Sequence, residues 1–327
     1  MNRLTKSIQI EQFGDHSVLQ LKEIELPKPS GNQLLVKQEA IGVNFIDTYH
    51  RSGLYPMELP SGLGKEAAGV VAAVGEEVTN IAVGDRVCYV AAPLGSYSEA
   101  HLVPEDVVIK LPDAISCKTA AAMMLKGMTA AYLLLKTYPV TSSDTILVHA
   151  AAGGVGSILT QWARAIGTTV IGTVGSAAKV ELAKQNGCDE VLLYREIDVP
   201  AAVNQITANR GVDVVYDGVG KDTFDISLQC LKTRGMMVSF GNASGAVADF
   251  SPLLLTKMGS LYLTRPSLFD YVAEPEEQQF LADALFARVA SGEISIQISR
   301  EFPLAEAGAA HTTLESGTTT GSIILLP

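Results

Sequence analysis

Two rhythms of hydrophobic and polar positions divide the chain. Up to about residue 125, short apolar runs such as 33-QLLVKQEAIG-42, 69-GVVAAVG-75 and 86-RVCYVA-91 are separated by glycine, proline and aspartate. Short runs between turn-forming residues are strand signals. Gly75 and the pair Gly84-Asp85 fall at such turns, so this stretch predicts a β-rich barrel or sandwich with irregular loops. The opening MNRLTKSIQI reads as its first strand.

From Thr145 the rhythm changes. The runs 145-TILVHA-150, 169-TVIGTV-174, 190-EVLLYR-195, 212-VDVVYDG-218, 235-GMMVSFG-241 and 260-SLYLTR-265 predict strands. Helical stretches lie between them, near 155–166, 176–186, 198–208, 223–232 and 251–258. Short β-branched strands alternating with helices form a parallel sheet covered on both faces. Six of them predict an α/β, doubly wound fold with a six-stranded parallel sheet. After Pro266 come a charged helical stretch, 274-EPEEQQFLADALFARVASG-292, and two strand candidates, 294–303 and 321–327. These resemble the first region, so the expected domains are 1–125, 126–265, and a return of 266–327 to the first, with a cleft between the two.

Composition narrows the function classes. A chain of 327 residues, 47% apolar and 18% charged, has room for two ordinary domains with buried cores. The formal charge of −11, with no Lys/Arg cluster, argues against nucleic acid or an anionic membrane as main partner. The most apolar stretch, 120–138, is broken by Lys126 and Lys136, so no segment is expected to span a bilayer. The N-terminus carries no signal-peptide pattern. Cys88, Cys117, Cys188 and Cys230 are far apart and form no CxxC, which suggests reduced, buried thiols in a cytoplasmic protein.

The densest small-residue turn lies in 148-VHAAAGGVGSILTQWARAIG-167. A phosphate-binding turn needs a delivering strand, small residues that let backbone approach the pyrophosphate, and a helix N-terminus aimed at the anion. Here Ala151, Gly153 and Gly156 occupy the three positions of G-x-G-x-x-G, with Ala replacing the first Gly. Ala152, Gly153, Gly154, Val155 and Gly156 are the candidate backbone cradle, and Ile158, Trp162 and Ile166 are the buried stripe of the helix. A purely structural turn is the alternative, but five further strand candidates follow this one, which favours a dinucleotide. The tip of the second strand, 169-TVIGTVGSAAK-179, lacks the acid that would receive the adenosine ribose hydroxyls of NAD. It offers Thr173, Gly175, Ser176 and Lys179, and Tyr194 ends the third strand. Hydroxyl and ammonium groups suit a 2′-phosphate, so the expected cofactor is NADPH, unless Lys179 is only a solvated helix lysine.

With these residues in view, the chain resembles the medium-chain dehydrogenase/reductase superfamily, and within it the zeta-crystallin-type quinone oxidoreductases. The carriers are 41-IGVNFIDTYHRSGLYP-56, 61-SGLGKEAAGVV-71, 84-GDRV-87, 125-LKGMTAAYLL-134, 149-HAAAGGVG-156, 216-YDGVG-220, 237-MVSFGNASG-245 and 321-GS-322. The resemblance implies a GroES-like first domain, a Rossmann second domain and NADPH-dependent reduction of quinones. It also implies that no metal is bound. Zinc-dependent members carry a Cys where this chain has Asn44, a His where it has Lys65, and a lobe of close-spaced cysteines that it lacks. Metal-free hydride chemistry suits a quinone, which is already electron-poor.

The resemblance places the substrate among Asn44, Asp47, Tyr49 and Tyr55. Asn44, also near the nicotinamide, would bond a substrate oxygen, and Asp47 would orient it. The tyrosines would flank the ring or donate a proton. Packing tyrosines and a local cap acceptor at Asp47 are the plain alternatives. Lys126 and Thr129 are implied to face the nicotinamide ribose or phosphate; a Lys126–Glu66 bridge is the competing reading. Gly218, Gly220, Phe240, Gly241, Asn242, Gly321 and Ser322 are implied to complete the cofactor site, while His149 reads as a satisfied core histidine. The last strand candidate, 260-SLYLTRP-266, would be a sheet edge, and the resemblance implies homodimer pairing there. A reductase of activated enones or enals, or an NADPH-binding scaffold without quinone turnover, remains open.

Overall fold

A computed structural model of the chain describes residues 3–327. The chain divides into two compact units. The first holds the residues up to Met128, Val272–Ala290 and Ile296–Pro327; the second holds Thr129–Tyr271 and Ser291–Ser295.

The first unit is β-rich. Its larger sheet runs Ile298–Pro303, Ser322–Leu326, Gln33–Val43, Ala67–Val74, Arg86–Tyr89 and Val108–Lys110, with Ala100–Pro104 also paired to Gln33–Val43. A smaller sheet orders Gln20–Leu26, Arg3–Ile10 and Ser61–Gly62. The strand Gln33–Val43 is central because it pairs with three others and is buried along most of its length. Its pairing with Ala67–Val74 shifts register twice, after Leu35 and after Gln38, and such irregularities bend a sheet toward closure. The C-terminal strand pairs antiparallel to it, Ile323 opposite Val43. Strand 294–303 begins only at Ile298, because Ser295 is held by the Gln161 side chain through both amide atoms.

The second unit is a fully parallel six-stranded sheet in the order Glu190–Leu193, Thr169–Val174, Thr145–Val148, Val212–Asp217, Leu231–Ser239, Tyr262–Thr264. This is the doubly wound order, so the expected α/β fold class is borne out. The 145–150 strand stops at Val148 because Ala150 turns the chain with φ +52°. The fifth strand starts earlier than expected, at Leu231, with a register irregularity against the fourth and Arg234 at φ +60°. Ile158 and Trp162 are buried as expected, but Ile166, next to the Gly167 cap, is only half-buried.

The unit boundaries fall after Met128 and after Tyr271, later than the expected 125 and 265. The first boundary lies inside the continuous helix Cys117–Tyr132, which the apolar run 120–138 forms despite Lys126. That run continues into a wider π-type turn over Leu133–Thr137. Among the described residues no helix is long and apolar enough to cross a membrane.

Candidate active site

The glycine turn of the second unit sets backbone against backbone. Gly153 is the N-cap of helix Gly154–Ile166, with no side-chain cap and no acid in the first turn. The leading N–H groups of a helix need acceptors, and this end supplies none from a side chain. A Cβ at Gly156 would collide with the Ala150 carbonyl oxygen and stand 2.9 Å from Ala151 Cα. The helix thus starts as close to the first strand as backbone allows. Ala151 and Ala152 are buried, while Gly153, Gly154 and Val155 are half-exposed.

Beside the turn, Gly175, Ser176, Lys179 and Tyr194 come together at the ends of the second and third strands. A Cβ at Gly175 would lie 3.4 Å from the Tyr194 ring and 4.0 Å from the Arg195 guanidinium. Arg195 donates to the Tyr194 hydroxyl at 3.0 Å and lies 5.3 Å from the ring centroid. Burial, and then the positive charge of Arg195, lower the Lys179 pKa. Two cations that repel each other are suited to a doubly charged anion. Arg195 went unread in the sequence; its signal was a basic residue directly after Tyr194. Thr173 does not join this group. Strand alternation turns it inward, and its hydroxyl bonds His149 Nδ1 at 2.9 Å.

His149 is a connecting residue. Ser227 Oγ donates to Asp217 Oδ2 at 2.9 Å, so the 3.0 Å contact of Ser227 with His149 Nε2 requires the proton on Nε2. Nδ1 is then the acceptor for Thr173. Burial lowers the pKa of this imidazole. Asp217 is fully buried and accepts from the amides of Val219 and Gly220 and from Thr223, which fixes the 217–220 loop. Phe240 packs where a Cβ of Gly218 would stand, and Gly220 adopts φ +89°. Arg265 donates to the carbonyls of Ser239 and Gly241, and an Asn242 amide turned with its nitrogen toward Gly241 O would accept from Arg265 at 3.0 Å. Thr129 is buried in the same unit.

In the first unit a polar cluster is buried at the start of helix Phe45–Ser52, which follows the central strand after one residue, Asn44. The Asn44 N–H donates to Asp47 Oδ2 at 2.8 Å, the reciprocal bond of a capping box. Asn44 Nδ2 donates to Glu66 Oε2 at 2.6 Å, and Lys126 Nζ donates to Asn44 Oδ1 at 2.6 Å and to the Val43 carbonyl at 3.2 Å. Lys126 therefore reaches Glu66 through Asn44 and not by a direct ion pair. Glu66 Oε1 accepts the Leu125 amide at 2.7 Å. Glycine is required at 42, where any Cβ would strike the Glu66 carboxylate and the Ala121 carbonyl.

Burial dominates the acidities of this cluster. It pushes Asp47 up to about 7, with the Glu66 charge adding to the shift. Burial also raises Glu66 and lowers Lys126, each opposed by the other's charge. Tyr49 and Tyr55 are half-buried on the same helix and its following loop, their rings edge-on at 5.3 Å. Ser322 is buried, and its hydroxyl donates to the Ala122 carbonyl at 2.6 Å; Gly321 sits at φ +82° against Gln297. Among the described residues, no three His, Cys, Asp or Glu gather as a metal site, and the four cysteines are free and buried.

Sequence comparison places this geometry. The alcohol dehydrogenase GroES-like domain matches residues 30–113, and the zinc-binding dehydrogenase domain matches 154–280. A quinone oxidoreductase of Pseudomonas aeruginosa is 50% identical over 99% of this chain and 100% of its own length. The chain belongs to the quinone oxidoreductase family of the medium-chain dehydrogenases/reductases. The crystal structure of Escherichia coli quinone oxidoreductase complexed with NADPH is similar, with a TM-score of 0.97 and 48% identity, over 98% of this chain and 100% of that one. A 2-haloacrylate reductase of a Burkholderia species is 44% identical over 94% of each chain.

Within this family frame, the residues read from sequence form two groups, one in each unit. Arg195, Arg265 and Asp217 organise the second group with no role assigned from sequence, as do Tyr97 and His311 in the first; Glu66 is expected from sequence only as a direct partner of Lys126. Arg265, Tyr97 and His311 bond partners remote in sequence, so no local motif announced them.

Proposed function

We propose that the chain reduces quinones with NADPH. The observation that carries this reading is the open, acid-free helix N-terminus of the glycine turn beside the Lys179–Arg195 pair, in a chain that is quinone oxidoreductase-like from end to end. Ala152 to Gly156 would bind the pyrophosphate through backbone N–H groups, and Gly156 keeps that approach close. Lys179, with Ser176, Gly175, Tyr194 and Arg195, would hold the 2′-phosphate. Thr129, Gly218, Gly220, Phe240, Gly241, Asn242 and the Gly321–Ser322 backbone would complete the cofactor contacts. The bound cofactor supplies the hydride.

The other roles belong to the first unit. Asn44 spends its carbonyl on Lys126 and one amide hydrogen on Glu66, and its second amide hydrogen is assigned to a substrate oxygen. Lys126 acts through Asn44 by fixing which way the amide points. Tyr49 and Tyr55 supply aromatic walls for a flat ring. Asp47 holds the Asn44 backbone through the capping box. No metal enters this scheme.

We also read the exposed edge strand Tyr262–Thr264 as the seam of a homodimer; Tyr262 is 59% exposed there. Four free thiols fit a cytoplasmic protein. A second reading, reduction of activated alkenes, is favoured by the likeness to a 2-haloacrylate reductase.

Titrating the purified protein with NADPH and NADH, then adding benzoquinone or a simple enone, tests these readings together. Tight NADPH binding and quinone-dependent loss of nicotinamide absorbance are expected. Faster turnover of the enone would favour the second reading, and binding without any turnover would leave only a cofactor-binding scaffold. An NADH preference would sink the cofactor assignment.

A further inference from the structure

From the exposed Glu315 a chain of buried side chains, Arg51, His311 and Tyr97, runs to Asp47, and its donors all face one way. Arg51 binds Glu315 through two bonds, at 2.8 and 3.0 Å, and its NH1 lies 3.0 Å from His311 Nδ1. A guanidinium only donates, so Nδ1 is the acceptor and His311 carries its proton on Nε2. Nε2 lies 3.0 Å from the Tyr97 hydroxyl and must donate to it. The Tyr97 hydrogen is then left for Asp47 Oδ2, 3.0 Å away. Oδ2 thus receives two donors, Tyr97 O–H and Asn44 N–H. Oδ1 is buried and receives none. An anionic oxygen buried without a donor is costly, so a proton taken up by Asp47 sits on Oδ1.

We propose that Arg51, His311 and Tyr97 are positioning residues that confine the Asp47 proton to Oδ1, from which it is delivered to the substrate oxygen during reduction. The proposal rests on the quinone reductase reading above. In the step, the Asp47 Oδ1–H bond breaks and an O–H bond forms on the quinone. The electron pair arrives with the hydride of NADPH, leaving NADP⁺ and hydroquinone, and the Asp47 carboxylate regains a proton from water. The chain is not a proton wire, because Arg51 at its outer end cannot release a proton. Burial, and then the Arg51 charge, depress His311 to about 3, so it stays neutral and the donor direction holds. The charged and titratable groups acting on Asp47 are Tyr97, Lys126 and the adjacent Lys65 and Glu66, from three separate segments.

Infrared difference spectra of the whole protein across pH read the protonated Asp47 carboxyl directly, with Asp47→Asn identifying its band and separating it from Glu66. The band should vanish near pH 7, and kcat/KM for benzoquinone should fall over the same range. Tyr97→Phe removes one donor to the carboxylate, so both transitions should move up by roughly one unit. His311→Leu removes the Nε2–H that polarises the Tyr97 hydroxyl, and should move both in the same direction by less. His311→Gln keeps an acceptor for Arg51 and a donor for Tyr97, and should restore the original position. A band that stays put in Tyr97→Phe and His311→Leu, or moves equally in His311→Gln, overturns the directional chain. A band that moves while the rate profile does not overturns the delivery of the proton. If the unmodified protein turns over no quinone, a moving band still supports the chain while the functional reading falls.

Discussion

The turn from Ala150 to Gly156 and the cluster around Asp47 handle charge in opposite ways. The turn uses backbone N–H groups from a few consecutive residues, and its specificity is steric, since Gly156 leaves no room for a Cβ against Ala150. The cluster uses side chains drawn from helix Phe45–Ser52, the loop before Ala67, helix Cys117–Tyr132 and helix Ala307–Glu315. Arg51 and His311, in contact within it, are 260 residues apart. A backbone site needs only local conformation, whereas a side-chain site needs the whole first unit to be packed. Damage to the turn should therefore be local and steric, and damage to the cluster should appear in stability and pH dependence.

The largest effect should come from forcing a side chain into the turn. Gly156→Val drives a branched Cβ into the Ala150 carbonyl, and we expect a loss of about 3 kcal/mol or more in urea unfolding together with loss of measurable NADPH binding. Full NADPH affinity in this variant would refute the close-approach argument. Lys126→Met comes next. It removes the cation that holds Asn44 and leaves Glu66 buried without a counter-charge, so a cost of about 3 kcal/mol is expected by denaturant titration. An unchanged midpoint would mean that Lys126 does not anchor the cluster.

The pH dependence of melting separates two buried groups. His311 is depressed to about 3 in the fold from an ordinary 6.5, so its contribution is complete above pH 6.5 and is lost as pH falls toward 3. Asp47 is raised to about 7 from 3.8, so its contribution is complete below pH 3.8 and is lost as pH rises toward 7. The two oppose each other in the intervening range. His311→Gln should reduce the acid-side fall of Tm, and Asp47→Asn should remove the decline toward neutrality. Identical slopes in both variants would contradict these assignments.

A smaller effect is expected in the second unit. Lys179→Ala and Arg195→Ala should each weaken NADPH about tenfold by calorimetry and leave NADH nearly unchanged. Equal losses for both nucleotides would remove the 2′-phosphate assignment. The smallest is at the edge strand, where Tyr262→Lys should shift sedimentation from dimer to monomer with little change in Tm. A sedimentation rate that is the same with and without the substitution would move the seam elsewhere.

Much of the second unit was legible because its signals are local. Six short β-branched runs, a strand-turn-helix with glycine at 153 and 156, and a second strand without a terminal acid can all be read along the chain. The direction of a single hydroxyl is less legible. Thr173 was counted toward the phosphate site, but strand alternation turns its hydroxyl onto His149. In the first unit, the Ser322 hydroxyl is bonded to the Ala122 carbonyl, which leaves its backbone for the expected cofactor contact.

The sequence by itself determined the class of fold, the placement of the phosphate turn and the presence of Lys126 in an apolar run that required explanation, while Asn44 and Asp47 came into view through the family resemblance. Only the tertiary structure decided what those charges do. It put Asn44 between Lys126 and Glu66 where a direct bridge was the competing expectation, paired Arg195 with Lys179, and ran Arg51, His311 and Tyr97 in one donor direction onto Asp47. The physical reason is range. Backbone conformation and strand or helix periodicity are set by neighbours in sequence, while the cost of burying a charge is met by whichever remote partner the fold brings within hydrogen-bonding distance.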